Sequence, residues 1–352
     1  MSEDKRIPVA VLGATGSVGQ RFVQLLEHHP WFQVAELVAS ERSVGKPYQE
    51  ATEWRLDAFM PEKTASLVVK DYADPISSPV AFSALPGEVA AEIEQRLALE
   101  GHAVLSNTST HRMEPDVPLL IPEVNPDHVR AIEVQKAGRG WSGFIATNPN
   151  CSAIHMVLTL KPLHDAFGLD AVMVTTMQAA SGAGYPGVPS LDSIDNVVPF
   201  IRTEEEKMAE ETGKLLGSWD GEFVPAEVIV SASCNRVPVR DGHTECVSLR
   251  MQVEASPEEV ADVLSAFRGR PQELDLPSAP KRPIVVRAEP NRPQPILDRT
   301  TENGMASVVG RIRRCPILGI KYVLLGHNTI RGAAGASILN AELFKVEGLL
   351  PI

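Results

Sequence analysis

Hydrophobic positions come in two rhythms along this chain. Residues 7–12 (IPVAVL) form a short apolar run, followed by a glycine-rich stretch and a helical run to about His29. Further short strand-like runs lie at 34–40 (VAELVAS), 80–84 (VAFSA), 102–107 (HAVLSN) and 143–147 (GFIAT), with the helical segment GEVAAEIEQRLALE before 102. Strand and helix alternating in this way predict a parallel sheet with crossover helices, an α/β Rossmann-like doubly wound domain. After about residue 150 the runs lengthen: AVMVTTMQAAS, AEVIVSAS, ECVSLRMQVE and ASVVGRIR. Their length and β-branched content predict an α+β domain with a mixed, largely antiparallel sheet, one face on helices. The Pro-rich residues 269–296 read as a surface excursion. The final segment, GAAGASILNAELFKVEGLL, reads as a helix returning to the first domain. The expected division is 1–150 plus 330–352, and 151–329.

Composition narrows this picture. A chain of 352 residues suits two domains. Apolar residues at 43% and charged residues at 22% are those of a globular protein. No apolar stretch approaches the roughly 18 residues of a membrane span. Only MSEDKR precedes the first apolar run, so no signal peptide is expected. The four cysteines, Cys151, Cys234, Cys246 and Cys315, form no CxxC pair, so no metal site is expected. They suit a cytoplasmic, reduced chain. A net charge of -12 without a basic run points away from nucleic acid, while leaving room for a small anionic substrate.

Gly13-Ala14-Thr15-Gly16-Ser17-Val18-Gly19 follows a strand and opens a helix. Glycine lets backbone approach a pyrophosphate, and a helix start offers free N–H groups, so Gly13, Thr15, Gly16, Ser17, Val18 and Gly19 are candidate dinucleotide contacts. The alternative is a tight turn with no ligand. The second strand ends near Ser40, with Arg42 and Ser43 following. Hydroxyls and a guanidinium favour a 2′-phosphate and hence NADP; if Glu41 points at the ribose instead, NAD would also serve. Cys151 follows Asn148-Pro149-Asn150 and precedes the helical run AIHMVLTLKPLHDAF. A thiol at a helix start feels the positive end of the dipole, which favours a thiolate nucleophile. The other three cysteines read as buried small hydrophobes.

These segments resemble the aspartate-semialdehyde dehydrogenase family, in its archaeal and fungal branch. The motifs are GATGSVGQ, Asn148–Cys151, residues 181–190 (SGAGYPGVPS), 235–245 (NRVPVRDGHTE) and 326–335 (GHNTIRGAAG), in order over nearly the whole chain. The resemblance implies NADP-dependent interconversion of L-4-aspartyl phosphate with L-aspartate 4-semialdehyde and phosphate, in lysine, threonine and methionine biosynthesis. It implies that Cys151 forms a thioacyl-enzyme, that His243 is the general acid/base and that Gln178 orients the acyl group. It places Arg236 on the substrate carboxylate, Glu204 on the amino group, and Lys207, Asn107 and Arg112 on phosphate. Ser181, Gly182 and Asn328 are implied on the cofactor, Asn328 at the nicotinamide. It also implies a homodimer or homotetramer. Without the resemblance, His243 reads as a surface residue, Gln178 as a strand-end polar group and Glu204–Lys207 as a solvated helix face. Three consecutive glutamates leave that register open by one residue. N–H groups at the Cys151 helix start are expected to hold the reaction's oxyanion. Two other readings stay open: a malonyl-CoA reductase or related semialdehyde dehydrogenase on the same scaffold, and a non-catalytic NADP-binding regulator.

Overall fold

The computed structural model describes residues 6–352; residues 1–5, most of the segment in which no signal peptide is expected, lie outside the described residues. The described residues divide into two compact units: residues 6–120, 129–148 and 333–352 form the first, and 121–128 with 149–332 the second. Residues 121–128, read by sequence as part of the first domain, thus cluster with the second.

In the first unit, β1 (Ile7–Leu12), α1 (Ser17–Leu26), β2 (Phe32–Val38), β3 (Val69–Lys70), β4 (Val80–Ser83), α2 (Gly87–Glu100), β5 (Ala103–Ser106), α3 (Ala131–Arg139) and β6 (Phe144–Thr147) follow in order. The six strands form a wholly parallel sheet, ordered β3-β2-β1-β4-β5-β6. Both faces are covered, so β4, β5 and β6 are buried at every position, as a continuous apolar run requires. On α2 the buried residues Ala90, Glu94, Leu97 and Ala98 recur at helical spacing. Their apolar members join Leu12, Val38, Val104 and Ile145 in one core. Gly101, at φ 105°, ends α2 in the left-handed conformation that glycine accepts without strain. The C-terminal helix, Gly335–Val346, is almost wholly buried in this unit.

The second unit holds α4 (Ala153–Phe167), β7 (Leu169–Gln178), α5 (Glu204–Leu216), β8 (Ile229–Arg236), β9 (His243–Met251), α6 (Pro257–Ala266), β10 (Ile284–Arg287), β11 (Ser307–Cys315) and β12 (Gly319–Gly326). The sheet runs β8-β7-β9-β12-β11-β10. It is antiparallel at its centre, with parallel pairs at the edges, β8 with β7 and β10 with β11. One face packs on helices: α4 against β9, β11 and β12, α5 against β8, and α6 against β10 and β11. The Pro-rich 269–296 segment is not simply a surface excursion. Ile284 and Val285 within it are buried as part of edge strand β10. The flanking prolines delimit the strand, which as an edge strand needs ladder bonds on one side only. Among the described residues no helix is long and apolar enough to cross a membrane.

Candidate active site

In the first unit the loop after β1 turns at Gly13, φ 72°, whose N–H, with that of Ala14, donates to Val38 O. A Cβ at Gly13 would stand 2.4 Å from Ala84 O, and one at Gly19 2.2 Å from Gly13 O. Both positions therefore exclude every side chain. Gly16 is the N-cap of α1, and no side-chain cap bond closes this end of the helix among the described residues. Thr15, Ser17 and Val18 complete this turn, giving an open cradle of backbone donors suited to a pyrophosphate. The β2 strand ends at Val38, two residues earlier than sequence periodicity suggests, so Ser40 lies in the following turn. Ser40, Glu41 and Arg42 are exposed while Ser43 is buried, its N–H donating to Ser40 O at 2.9 Å. Lys46, a cation that sequence reading passed over, caps the same turn through Arg42 O at 3.0 Å. At the end of β5, Asn107 donates to Ser83 O and Ser337 Oγ, and accepts from Asn148 Nδ2 at 2.9 Å. Arg112 folds back with Nη2 on Asn107 O at 2.9 Å.

In the second unit, sheet register assembles the other candidates. Gln178 ends β7, Arg236 ends the parallel strand β8 directly beside it, and His243 opens the antiparallel strand β9. All three therefore sit at one end of the sheet, each less than a tenth exposed. His243, which would alone read as a surface residue, is wholly buried because its strand begins there, at the sheet's helix-covered face. Its Nε2 lies 3.2 Å from Cys151 Sγ, and its Nδ1 accepts the Ala179 N–H at 3.0 Å. A peptide N–H can only donate, so the neutral ring carries its proton on Nε2, facing the sulfur. Burial first, then Arg236, His155 and His327, hold the His243 pKa well below its ordinary value, so the ring stays neutral.

Arg236 Nη1 donates to Ala179 O at 2.8 Å, and burial lowers its pKa. Glu204, first residue of α5, is the buried member of the three glutamates, with Glu205 and Glu206 exposed. Its Oε1 accepts from Gln178 Nε2 at 2.9 Å and Asn150 Nδ2 at 2.8 Å; Oε2 has no partner among the described residues. Lys207 is one turn further along α5 and half-buried. Asn328 spends its amide on Gly242 N–H at 2.9 Å and Ser181 Oγ at 2.8 Å, joining the 180–184 turn to the start of β9. Gly182 lies in that turn; a Cβ there would be 2.8 Å from Arg236 Nη1.

Two expectations change. The helix after Cys151 begins at Ala153, and the N–H groups of Ser152 and Ala153 already donate to Asn150 Oδ1, at 2.9 and 3.0 Å. Those groups are not free for an oxyanion, and the donor beside the sulfur is His243 Nε2–H. Nor are all three other cysteines buried: Cys234 is, with its pKa pushed up to about 12 by burial. Cys246 points outward between the buried Glu245 and Val247, and Cys315 sits half-buried at a hairpin end.

Sequence reading also missed a supporting layer. Asn150, read only as a chain break, has its N–H on Glu211 Oε2 at 2.5 Å while its side chain aligns both Glu204 and the Cys151 turn. Gly332 rests its backbone on Cys151, where a Cβ would come within 2.9 Å of the Cys151 Cβ. The Asn-Pro-Asn motif was the available signal for Asn150; nothing local marks Glu211.

A dinucleotide-type sheet in one unit and a histidine-backed cysteine in the other place this chain among dehydrogenases with a nucleophilic thiol. Family models agree: a semialdehyde dehydrogenase NAD-binding domain matches residues 8–132, and a semialdehyde dehydrogenase dimerisation domain matches 160–331. Aspartate-semialdehyde dehydrogenase of Methanothermobacter thermautotrophicus is 55% identical over 96% of this chain and 98% of its own length. That of Archaeoglobus fulgidus is 53% identical over 98% and 100%. The crystal structure of aspartate semialdehyde dehydrogenase with NADP from Candida albicans superposes with a TM-score of 0.90 at 44% identity, covering 98% of this chain and all of that one. The chain belongs to the aspartate-semialdehyde dehydrogenase family.

Proposed function

We propose that this protein interconverts L-4-aspartyl phosphate and L-aspartate 4-semialdehyde plus phosphate, with NADP as cofactor, through a thioacyl-enzyme on Cys151. The observation that carries the reading is the 3.2 Å contact of Cys151 Sγ with His243 Nε2, beside Arg236 and Glu204. In the biosynthetic direction the Cys151 thiolate attacks the acyl phosphate carbon and phosphate leaves, forming the thioester. NADPH, when bound, supplies the hydride that reduces this thioester. His243 donates a hydrogen bond from Nε2–H to the resulting oxyanion, whose collapse expels the sulfur, releasing the aldehyde and regenerating the thiolate. Its proton already faces the sulfur, which suits the donor role, and in the reverse direction the same Nε2–H holds the oxyanion formed when the thiolate adds to the aldehyde.

Arg236 offers a planar guanidinium to the substrate carboxylate. The unpartnered Oε2 of Glu204 suits the ammonium, which a malonyl substrate lacks. Gln178, held by Glu204, orients the acyl group; Lys207, Asn107 and Arg112 take phosphate. Gly13–Gly19 cradle the dinucleotide, and Ser40, Arg42 and Ser43 receive its 2′-phosphate. Ser181, Gly182 and Asn328 attend the nicotinamide, Asn328 through the 180–184 turn it braces. In this reading the first domain is the NADP domain and the second is catalytic and dimerising. Exposed Met173, Ile229, Leu191, Ile194 and Phe200 in the second unit offer apolar surface for a second copy, making a homodimer or a homotetramer. A cytoplasmic location belongs to the same reading.

The test is a substrate panel followed at 340 nm. L-aspartate semialdehyde with phosphate and NADP should be turned over; malonate semialdehyde with CoA should not. Turnover only with the second pair would replace the reading by a malonyl-CoA reductase, and none with either by a non-catalytic binding protein.

A further inference from the structure

Beneath the first unit's sheet edge lies a buried carboxyl that the reaction does not use. Glu94 projects from α2 and is wholly buried. Its Oε1 accepts Ser83 Oγ at 2.6 Å and Ser106 Oγ at 2.8 Å, the last residues of the paired strands β4 and β5. One oxygen thus ties two strand ends together at the carboxyl edge, where open parallel sheets bind ligands. Its Oε2 lies 3.6 Å from His111 Nε2, and neither atom has a hydrogen-bond partner among the described residues. The His111 ring is held from its other side by Glu114 Oε1, 2.6 Å from Nδ1, and Glu114 and Asp116 in turn bind Arg139 of α3.

Burying a carboxyl is costly without compensation. Desolvation raises the Glu94 pKa against the two serine hydroxyls and His111, with Glu114 adding to the rise. Apolar side chains of the same volume would fill this space at no such cost, and buried polar pairs are best understood where they set orientation. What they orient here is the loop that begins at Asn107 and carries Arg112. Thr108 N–H donates to Ser106 Oγ at 3.1 Å, and Arg112 is adjacent to His111 with its guanidinium turned back onto Asn107 O.

We propose that the buried Glu94–His111 pair is a positioning device, holding the 107–114 loop so that Asn107 and Arg112 meet the phosphate group. This rests on the reading of Asn107 and Arg112 as phosphate contacts. Neither Glu94 nor His111 touches substrate; they act through the loop. A displaced loop weakens one ligand and leaves the others, which general loss of fold does not do.

The test is steady-state kinetics in the phosphorylating direction, varying inorganic phosphate, aspartate semialdehyde and NADP in turn. His111→Phe keeps the ring volume and removes both nitrogens; Glu94→Gln keeps an acceptor for the serines and removes the charge. Each should raise the phosphate KM by about tenfold, with the other two KM values within about twofold. The double variant should be no worse than the poorer single, because the two act as one unit. Should either fail to fold, Ser106→Ala, which removes one anchor of Glu94, carries the same expectation. Arg112→Ala is the control. If it leaves the phosphate KM unchanged, the reading of the phosphate site fails. If it raises that KM while the Glu94 and His111 variants do not, or while they impair all three substrates equally, the positioning proposal is overturned.

Discussion

Gly182→Ala tests the steric basis of the site with a single methyl group. Gly182 is itself exposed and has no positive φ, so alanine strains no backbone there. Yet its Cβ would stand 2.8 Å from Arg236 Nη1 and 3.0 and 3.1 Å from His243 Cε1 and Nε2. Restoring ordinary contact requires a displacement of about 0.6 Å or more. Arg236 has little freedom to give, because the same Nη1 holds Ala179 O at 2.8 Å and would lose that bond. A shift of this size in a group that grips substrate costs about 10- to 100-fold in kcat/KM, roughly 1.4–2.8 kcal/mol of transition-state stabilisation. Most of it should appear in the KM for aspartate semialdehyde. Because the residue lies at the surface, the melting temperature should move by no more than about 2 °C. The assay is steady-state kinetics at 340 nm beside a thermal melt. An unchanged melt with kcat/KM within about twofold of wild type would show that the 180–184 turn swings outward freely, and that Arg236 is not sterically fixed.

Cys151→Ala should lower kcat by about 10⁴-fold or more with NADP affinity unchanged by calorimetry, since the thiol is the covalent centre; appreciable residual turnover would end the thioacyl mechanism. Arg42→Ala should raise the NADP KM about tenfold and leave the NAD KM within about twofold; parallel changes in both would remove Arg42 from the 2′-phosphate. Glu245 is wholly buried, neither oxygen has a hydrogen-bond partner among the described residues, and burial followed by Glu204 holds its pKa well above the ordinary 4.5. The folded state therefore holds this proton to higher pH than the unfolded chain, which ionises it above pH 4.5, so its contribution to stability is fully present below that pH and is lost as pH rises through the folded pKa. Relative to Glu245→Gln, the wild type should gain unfolding free energy as pH falls from 7 to 5, at no more than about 1.4 kcal/mol per unit. A constant difference in urea titrations across that window would show that Glu245 is ionised in the fold.

How much of this could be read in advance depended on the range of the interactions involved. The strand–glycine turn–helix of residues 7–26 was legible because each part is local: an apolar run, glycines where Cβ atoms would strike backbone, and a 3.6-residue period. The alternation that predicts a parallel sheet and the later change to longer strands are equally local, and Cys151 stood out through its immediate neighbours. Local pattern did not supply anything that depends on pairing between distant segments, and there His243 and Glu204 rested on the family resemblance alone. His243 lies 92 positions from Cys151, and its burial follows from β9 starting beside the end of β7, which no pattern around Arg-Asp-Gly-His states. Glu204 differs from Glu205 and Glu206 only in which way α5 turns against β8. Strand β10 was hidden among prolines that in isolation mark a loop, and became a strand because β11 offered it an edge. The Glu94–His111 pair is composed of residues that sequence assigns to solvent. A chain's own periodicity determines which face of an element is apolar, but register and layer packing determine which polar groups are enclosed with it, and those enclosed groups make up the site.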